Sequence, residues 1–286
     1  MNGAESLVHT LLAGGVDVCF ANPGTSEMHF VAALDKIPGM RCVLGLFEGV
    51  VTGAADGYYR MLEKPASTLL HLGPGLANGL ANLHNAKKAD SGIVNIVGEH
   101  ATYHIQYNAP LTSDIEGLAR PMSHWVKTSP DARTIAADGA EAIQAANATP
   151  GQIATLILPA DTAWNEADGV AETPPAAPPT PVSEDAVRAA AKLLSESASK
   201  GERATLLLGG RALRARSLEL VGRISAKTGC GVLTEWSNTR LERGAGRIQV
   251  NRIPYPVDKA LPVMRDAGNL VLAGAREPVA FFAYPD

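Results

Sequence analysis

The chain has 286 residues, 46% of them hydrophobic and 19% charged, with a net charge of -4, enough for two domains with sizeable cores. No basic stripe exists to neutralise phosphates, so a small-molecule partner is expected, with no nucleic acid and no membrane. Cys19, Cys42 and Cys230 form neither a disulfide framework nor a CxxC motif, and no signal-like segment or long apolar run occurs, which predicts a reducing, cytoplasmic setting.

In chain order, Leu7, Val8, Leu11 and Leu12 share one helical face, Gly14-Gly15 ends that helix, and Val16 to Ala21 reads as a short buried strand. Ser26 is the expected N-cap of a helix to Leu34. Arg41 to Leu46 reads as a strand, and Glu48 opens a helix rich in Gly and Ala. A third strand, Ser67 to Leu72, leads into a glycine-rich turn and a helix through Leu83, and a fourth spans Ile93 to Val97. Ala140 to Ala148 is predicted helical, and Ile153 to Leu158 reads as a central parallel strand. Five prolines between Ala171 and Ser183 forbid regular helix and predict a semi-rigid linker. The alternation then restarts: a helix over Asp185 to Leu194, a strand over Ala204 to Leu208, a helix over Ser217 to Lys227, and strands at Gly231 to Thr234 and Leu270 to Ala273. The fold class is therefore α/β, with two doubly wound, mainly parallel sheets. The predicted limits are 1–168 for the first domain, 169–183 for the linker and 184–286 for a second, Rossmann-like domain that reads as incomplete.

Open α/β sheets hold ligands beyond the carboxyl ends of their strands. Four such places carry chemistry: Asn22 to Glu27, Phe47-Glu48, His71 to Gly75, and Gly98-Glu99-His100. By position alone, a glutamate at a helix start can serve only the macrodipole. A GxG after a strand can be an ordinary turn or a dinucleotide fingerprint, although the NAD(P)-binding pattern places it at the first strand. His71 can be a core histidine satisfied by backbone, and Thr25 a turn residue. His100 and His104 have the i, i+4 spacing of a metal pair, but no third ligand stands at a recognised spacing, so no metal is assigned to this chain.

Glu48 followed by Ala55-Asp56-Gly57-Tyr58, the segment Gly73-Pro74-Gly75-Leu76-Ala77-Asn78, and Arg120-Pro121 with Trp125 resemble the pyrimidine-binding domain of thiamin-diphosphate enzymes of the acetolactate synthase, benzoylformate decarboxylase and pyruvate decarboxylase family. The resemblance covers about the first 165 residues in register and the rest more loosely. It implies that Glu48 hydrogen-bonds the aminopyrimidine nitrogen N1' of thiamin diphosphate and activates the cofactor. It also implies that Gly73, Pro74, Gly75 and Asn78 lie against the pyrimidine. His71 matches a catalytic histidine of benzoylformate decarboxylase, and Thr25 matches a serine that meets the substrate carboxylate there. Glu99 stands where many members carry glutamine, and His124 where they carry lysine.

That family holds Mg²⁺ and the diphosphate through a Gly-Asp-Gly segment and a later asparagine in a third domain, and Gly-Asp-Gly occurs nowhere in these residues. The chain is thus expected to be the N-terminal part of an enzyme that decarboxylates a 2-oxo acid, carboligates the product, or both, and to be inactive alone. The resemblance further implies a homodimer or homotetramer. It admits FAD in the second domain, at Gly209-Gly210-Arg211 and Gly274-Ala275-Arg276, without favouring it. The alternatives are a non-catalytic relative acting as a regulatory or assembly partner, and an NAD(P)-binding Rossmann protein.

Overall fold

A computed structural model describes residues 1–244 and 246–283. The expected terminal loop therefore lies largely outside the described residues, at Tyr284 to Asp286. Two compact units are present, Met1–Pro179 and Thr180–Asp286.

The first unit runs α1 (Gly3–Ala13), β1 (Val18–Asn22), α2 (Met28–Lys36), β2 (Arg41–Leu44), α3 (Glu48–Leu62), β3 (Ala66–Leu70), α4 (Leu72–Lys88) and β4 (Ile93–Glu99). It continues through α5 (Ile115–Ala119), β5 (Trp125–Thr128), α6 (Ile135–Ala146), β6 (Ile153–Pro159) and α7 (Ala160–Trp164). Its six strands are all parallel, in the order β2-β1-β3-β4-β6-β5. β3, β4 and β6 are buried at every position, as strands covered by helices on both faces must be. Leu7, Leu11, Phe30, Leu69, Ile96 and Leu156 fill the core on one face of the sheet. Leu70, Leu76, Leu83, Ile93 and Val97 fill it on the other.

Asn2 caps α1 through a capping box with Glu5, which the apolar periodicity alone did not reveal. The third strand stops at Leu70, two residues before its expected end. The expected glycine-rich turn is instead the first turn of α4, which His71 precedes as N-cap. β5 and α5 were not anticipated. β5 is a half-buried edge strand of four residues, too short and too polar to show a two-residue period.

The proline-rich stretch carries no helix or strand between Ala167 and Ser183. Its first part is tied to the first unit: the Ala171 N–H donates to Thr10 Oγ1 at 3.3 Å, and Gln144 Nε2 donates to the Pro175 carbonyl at 3.0 Å.

The second unit contains α8 (Glu184–Lys200), β7 (Ala204–Leu208), α9 (Ala215–Thr228), β8 (Gly231–Thr234), β9 (Asn251–Arg252), α10 (Val257–Asp266) and β10 (Asn269–Ala273). Its parallel sheet has the order β10-β7-β8-β9. Leu194, Leu206, Leu208, Leu213, Leu218 and Val221 form its core. β9 and α10 escaped the sequence reading, because a two-residue strand has no periodicity and Pro262 lies inside α10.

Candidate active site

The winding of the first sheet reverses between β1 and β3, with β2 on one side and β4, β6 and β5 on the other. The carboxyl ends of these two strands define the switch-point crevice in which such sheets take ligands. After β1 the chain makes a 3-10 turn at Thr25–Glu27 and enters α2. Ser26, the expected cap, makes no side-chain capping bond. Glu27 does the work instead: its Oε2 accepts the Gly24 N–H at 2.7 Å. The same oxygen lies 2.8 Å from Nδ1 of His71, the residue that follows β3. Gly24 lies under the imidazole, and a Cβ there would fall 2.3 Å from ring atoms. The sequence includes Glu27 in the Asn22 to Glu27 stretch without giving it a role, although its three-residue spacing from Gly24 is that of a capping box. Thr25 is exposed, and its side chain has no hydrogen-bond partner among the described residues.

Glu48 is the first residue of α3 and is buried. Its Oε2 accepts from Asn78 Nδ2 at 3.0 Å. Its Oε1 faces the bare backbone of Gly75: a Cβ there would stand 3.2 Å from Oε1 and 3.3 Å from His71 Cβ. Gly75 therefore lies between the two predicted catalytic side chains, and α4 supplies both Gly75 and Asn78. Pro74 is exposed in the same turn. Gly73 approaches the chain's own Ser113, whose Oγ a Cβ would overlap.

The small residues of α3 let α4 pack against it closely. Thr52 Oγ1 donates to the Gly79 carbonyl at 3.0 Å, and Asn82 Nδ2 donates to the Gly49 carbonyl at 2.7 Å. These bonds fix the carboxyl of Glu48 relative to Asn78. Asp56, of the Ala-Asp-Gly-Tyr segment, is scaffold: it binds Arg60 through two bonds of 2.8 and 2.7 Å and accepts from Ser91 Oγ at 2.6 Å.

At the end of β4, Glu99 is buried and its Oε1 accepts the His100 N–H at 2.7 Å. Burial pushes its carboxyl above the usual range, and the nearby Glu27 adds to this. Burial, together with His104 and His71, pulls the His100 imidazole down. The His100 and His104 rings meet edge to face at 5.7 Å. Among the described residues, no group of three His, Cys, Asp or Glu side chains is arranged to hold a metal. His124 Nδ1 accepts the Ile153 N–H at 3.1 Å, a structural contact between β6 and the residue preceding β5.

In the second unit, the loops after β7 and β10 bond to one another. The Gly209 N–H donates to the Ala273 carbonyl at 3.0 Å, and a Cβ on Gly209 would fall 2.4 Å from the Gly274 carbonyl oxygen. Backbone thus occupies the switch point of this sheet.

The family described as "Thiamine pyrophosphate enzyme, N-terminal TPP binding domain" matches residues 1–123, the stretch that contains Glu27, Glu48, His71, Gly75 and Asn78. The match falls wholly within the first unit. A Mycobacterium tuberculosis protein described as "Putative acetolactate synthase large subunit IlvX" is 54% identical over 286 residues, all of this chain and 54% of that protein. Benzoylformate decarboxylase of Pseudomonas aeruginosa is 32% identical over 148 residues, 51% of this chain and 28% of the enzyme. A solved thiamine diphosphate-dependent 4-hydroxybenzoylformate decarboxylase of Rhodococcus jostii superposes with a TM-score of 0.85 at 22% identity, over 100% of this chain and 54% of its own. That likeness shows the fold, two parallel sheets in succession. The chain spans about half the length of IlvX and of this solved relative. Within the matched stretch the structure brings together Glu48, Asn78, Gly75 and His71, whereas Thr25 is exposed and Gly73 faces Ser113.

Proposed function

We propose that this chain supplies the pyrimidine side of a thiamin-diphosphate site in an enzyme that decarboxylates a 2-oxo acid or carboligates the product. The observation that carries this reading is the buried Glu48 carboxyl at the start of α3, with Asn78 on one oxygen and the bare backbone of Gly75 beside the other. The residues fit the group: a buried carboxyl held by an amide suits a ring nitrogen, and the missing side chain at Gly75 leaves room for a flat ring to approach. When bound, thiamin diphosphate supplies a nucleophilic carbon and an electron sink. Glu48 holds the proton at the pyrimidine nitrogen, and Asn78 orients that carboxyl. Gly73, Pro74 and Gly75 form the turn that backs the ring. His71, across Gly75 from Glu48, gives and takes protons on the substrate side, while Thr25 binds the substrate carboxylate.

Mg²⁺ and the diphosphate would be held by residues beyond this set, since the chain has no Gly-Asp-Gly. A homodimer or homotetramer suits the mouth of the site: Leu44, Leu46, Phe47 and Val50 beside Glu48 are exposed, Leu46 at 90%, and an apolar row of this kind calls for a covering partner. Backbone at the second unit's switch point argues against FAD or NAD(P) there. Three free cysteines suit the cytoplasm.

The test is carbon dioxide release from 2-oxo acids with thiamin diphosphate and Mg²⁺, by this chain alone and by the chain joined to the diphosphate-binding half of a relative. The reading expects turnover only in the joined protein. Turnover by the chain alone, or none in a folded joined protein, would overturn it.

A further inference from the structure

Glu27 is a charged side chain at the switch point to which the reading above gives no task. It is 1% exposed, and one of its oxygens does two things at once: Oε2 accepts the Gly24 N–H at 2.7 Å and meets His71 Nδ1 at 2.8 Å. Its other oxygen, Oε1, is buried without a hydrogen-bond partner and is turned towards β4, where a Cβ on Gly98 would fall 1.7 Å from it. Two glycines therefore make the arrangement, Gly24 beneath the imidazole and Gly98 beside the carboxylate. A buried carboxylate that spends a backbone donor and an imidazole on one oxygen, and leaves the other unpaired, bears a cost that an amide or an apolar residue would avoid.

An ionised carboxylate only accepts, so the imidazole nitrogen facing it must carry a hydrogen. The opposite nitrogen, Nε2, has no hydrogen-bond partner among the described residues. We propose that Glu27 is a positioning residue: it holds His71 in the tautomer with the proton on Nδ1 and leaves Nε2 as the nitrogen that takes up and releases protons at the site. When Nε2 takes a proton, the Nδ1 hydrogen stays in place and the Glu27 charge balances the imidazolium, so one proton moves and no second group is required. The neighbouring titratable groups, Glu99, His100 and His104 beyond β4 and Glu48 on α3, make no hydrogen bond to His71. The tautomer thus depends on Glu27.

The inference rests on the reading of His71 as a proton carrier, but the tautomer is observable without turnover. The experiment is ¹⁵N NMR of the full 286-residue chain labelled at its seven histidines, at a pH where the imidazoles are neutral, with His71→Asn used to assign the His71 signals. The wild-type chain is expected to show the Nδ1–H form at His71. Glu27→Ala should shift His71 to the Nε2–H form that free imidazole prefers, and Glu27→Gln, which keeps an acceptor at the same reach, should retain Nδ1–H. An Nε2–H His71 in the wild type overturns the proposal even if no variant folds. So does an unmoved tautomer in a Glu27→Ala chain whose other histidine signals are unchanged. An Nδ1–H signal together with full activity of His71→Asn in the joined protein would instead retain the pairing and remove the catalytic reading of His71.

Discussion

The two sheets are wound from the same parts, yet they treat their strand ends differently. In the first, polar side chains are buried in a continuous row: Thr68 Oγ1 donates to Asn95 Oδ1 at 2.6 Å, Asn95 Nδ2 donates to Thr155 Oγ1 at 3.0 Å, and Thr155 meets Ser123 at 2.7 Å. Beyond that row, Glu27, Glu48 and Glu99 are buried where the strands end. In the second, only β7 is buried throughout, and glycine backbone seals the switch point. Architecture alone therefore does not confer a site. What the first sheet adds is a set of ionisable groups desolvated at an open crevice, where glycines clear space for them.

The largest expected effect breaks the first sheet's chemistry without touching its core. Glu48→Gln in the joined protein should lower turnover by about 10²- to 10⁴-fold, the usual scale of a lost acid-base group. Folding stability should change by less than about 1 kcal/mol, the scale of a helix-terminus charge. Steady-state decarboxylation rates and a thermal melt measure both. Gly98→Ala should cost about 1–3 kcal/mol, as overpacking does, because the new methyl meets Glu27 Oε1; urea denaturation would show it. Asn95→Leu, which leaves Thr68 and Thr155 without their shared partner, should cost about 1–3 kcal/mol for the stranded groups. Thr205→Val in the second sheet breaks a single bond to the Ala267 carbonyl and should cost roughly 1 kcal/mol. Equal losses would erase the contrast between the sheets.

The smallest effect concerns pH. Glu99 has its carboxyl raised by burial and by Glu27, so its neutral form is favoured in the folded chain. Stability is then lost as pH rises from the unfolded carboxyl range through the raised folded value. Glu99→Gln removes that penalty and keeps the acceptor for the His100 N–H. The variant should be the more stable of the two at neutral pH, with the gap closing as pH falls below the ordinary carboxyl value of 4.5. Urea midpoints across pH would show this, and a gap independent of pH would contradict it.

Much of this was legible in the sequence because buried parallel strands are short apolar runs bounded by turns, as at Ile93 to Val97 and Ile153 to Leu158. The place of Glu48 followed from its strand-to-helix junction, and its assignment from the resemblance around it. Asn78 and Gly75 emerged as partners of Glu48 only once α3 and α4 were packed through Gly49, Gly53 and Gly79. The contacts of Glu27 stayed hidden for a physical reason. A glutamate at the entry to a helix reads as an exposed dipole partner, and only folding turns its side chain back onto Gly24 and His71, whose sequence separation from it is 44 residues.

The most direct test of the account is the rate at which thiamin diphosphate, bound to the joined protein, exchanges its thiazolium C2 hydrogen for deuterium, followed by proton NMR after acid quench. The account predicts that Glu48→Gln slows this exchange by about 10²-fold or more while the cofactor stays bound. Exchange at the wild-type rate in a folded, cofactor-loaded Glu48→Gln protein would contradict it.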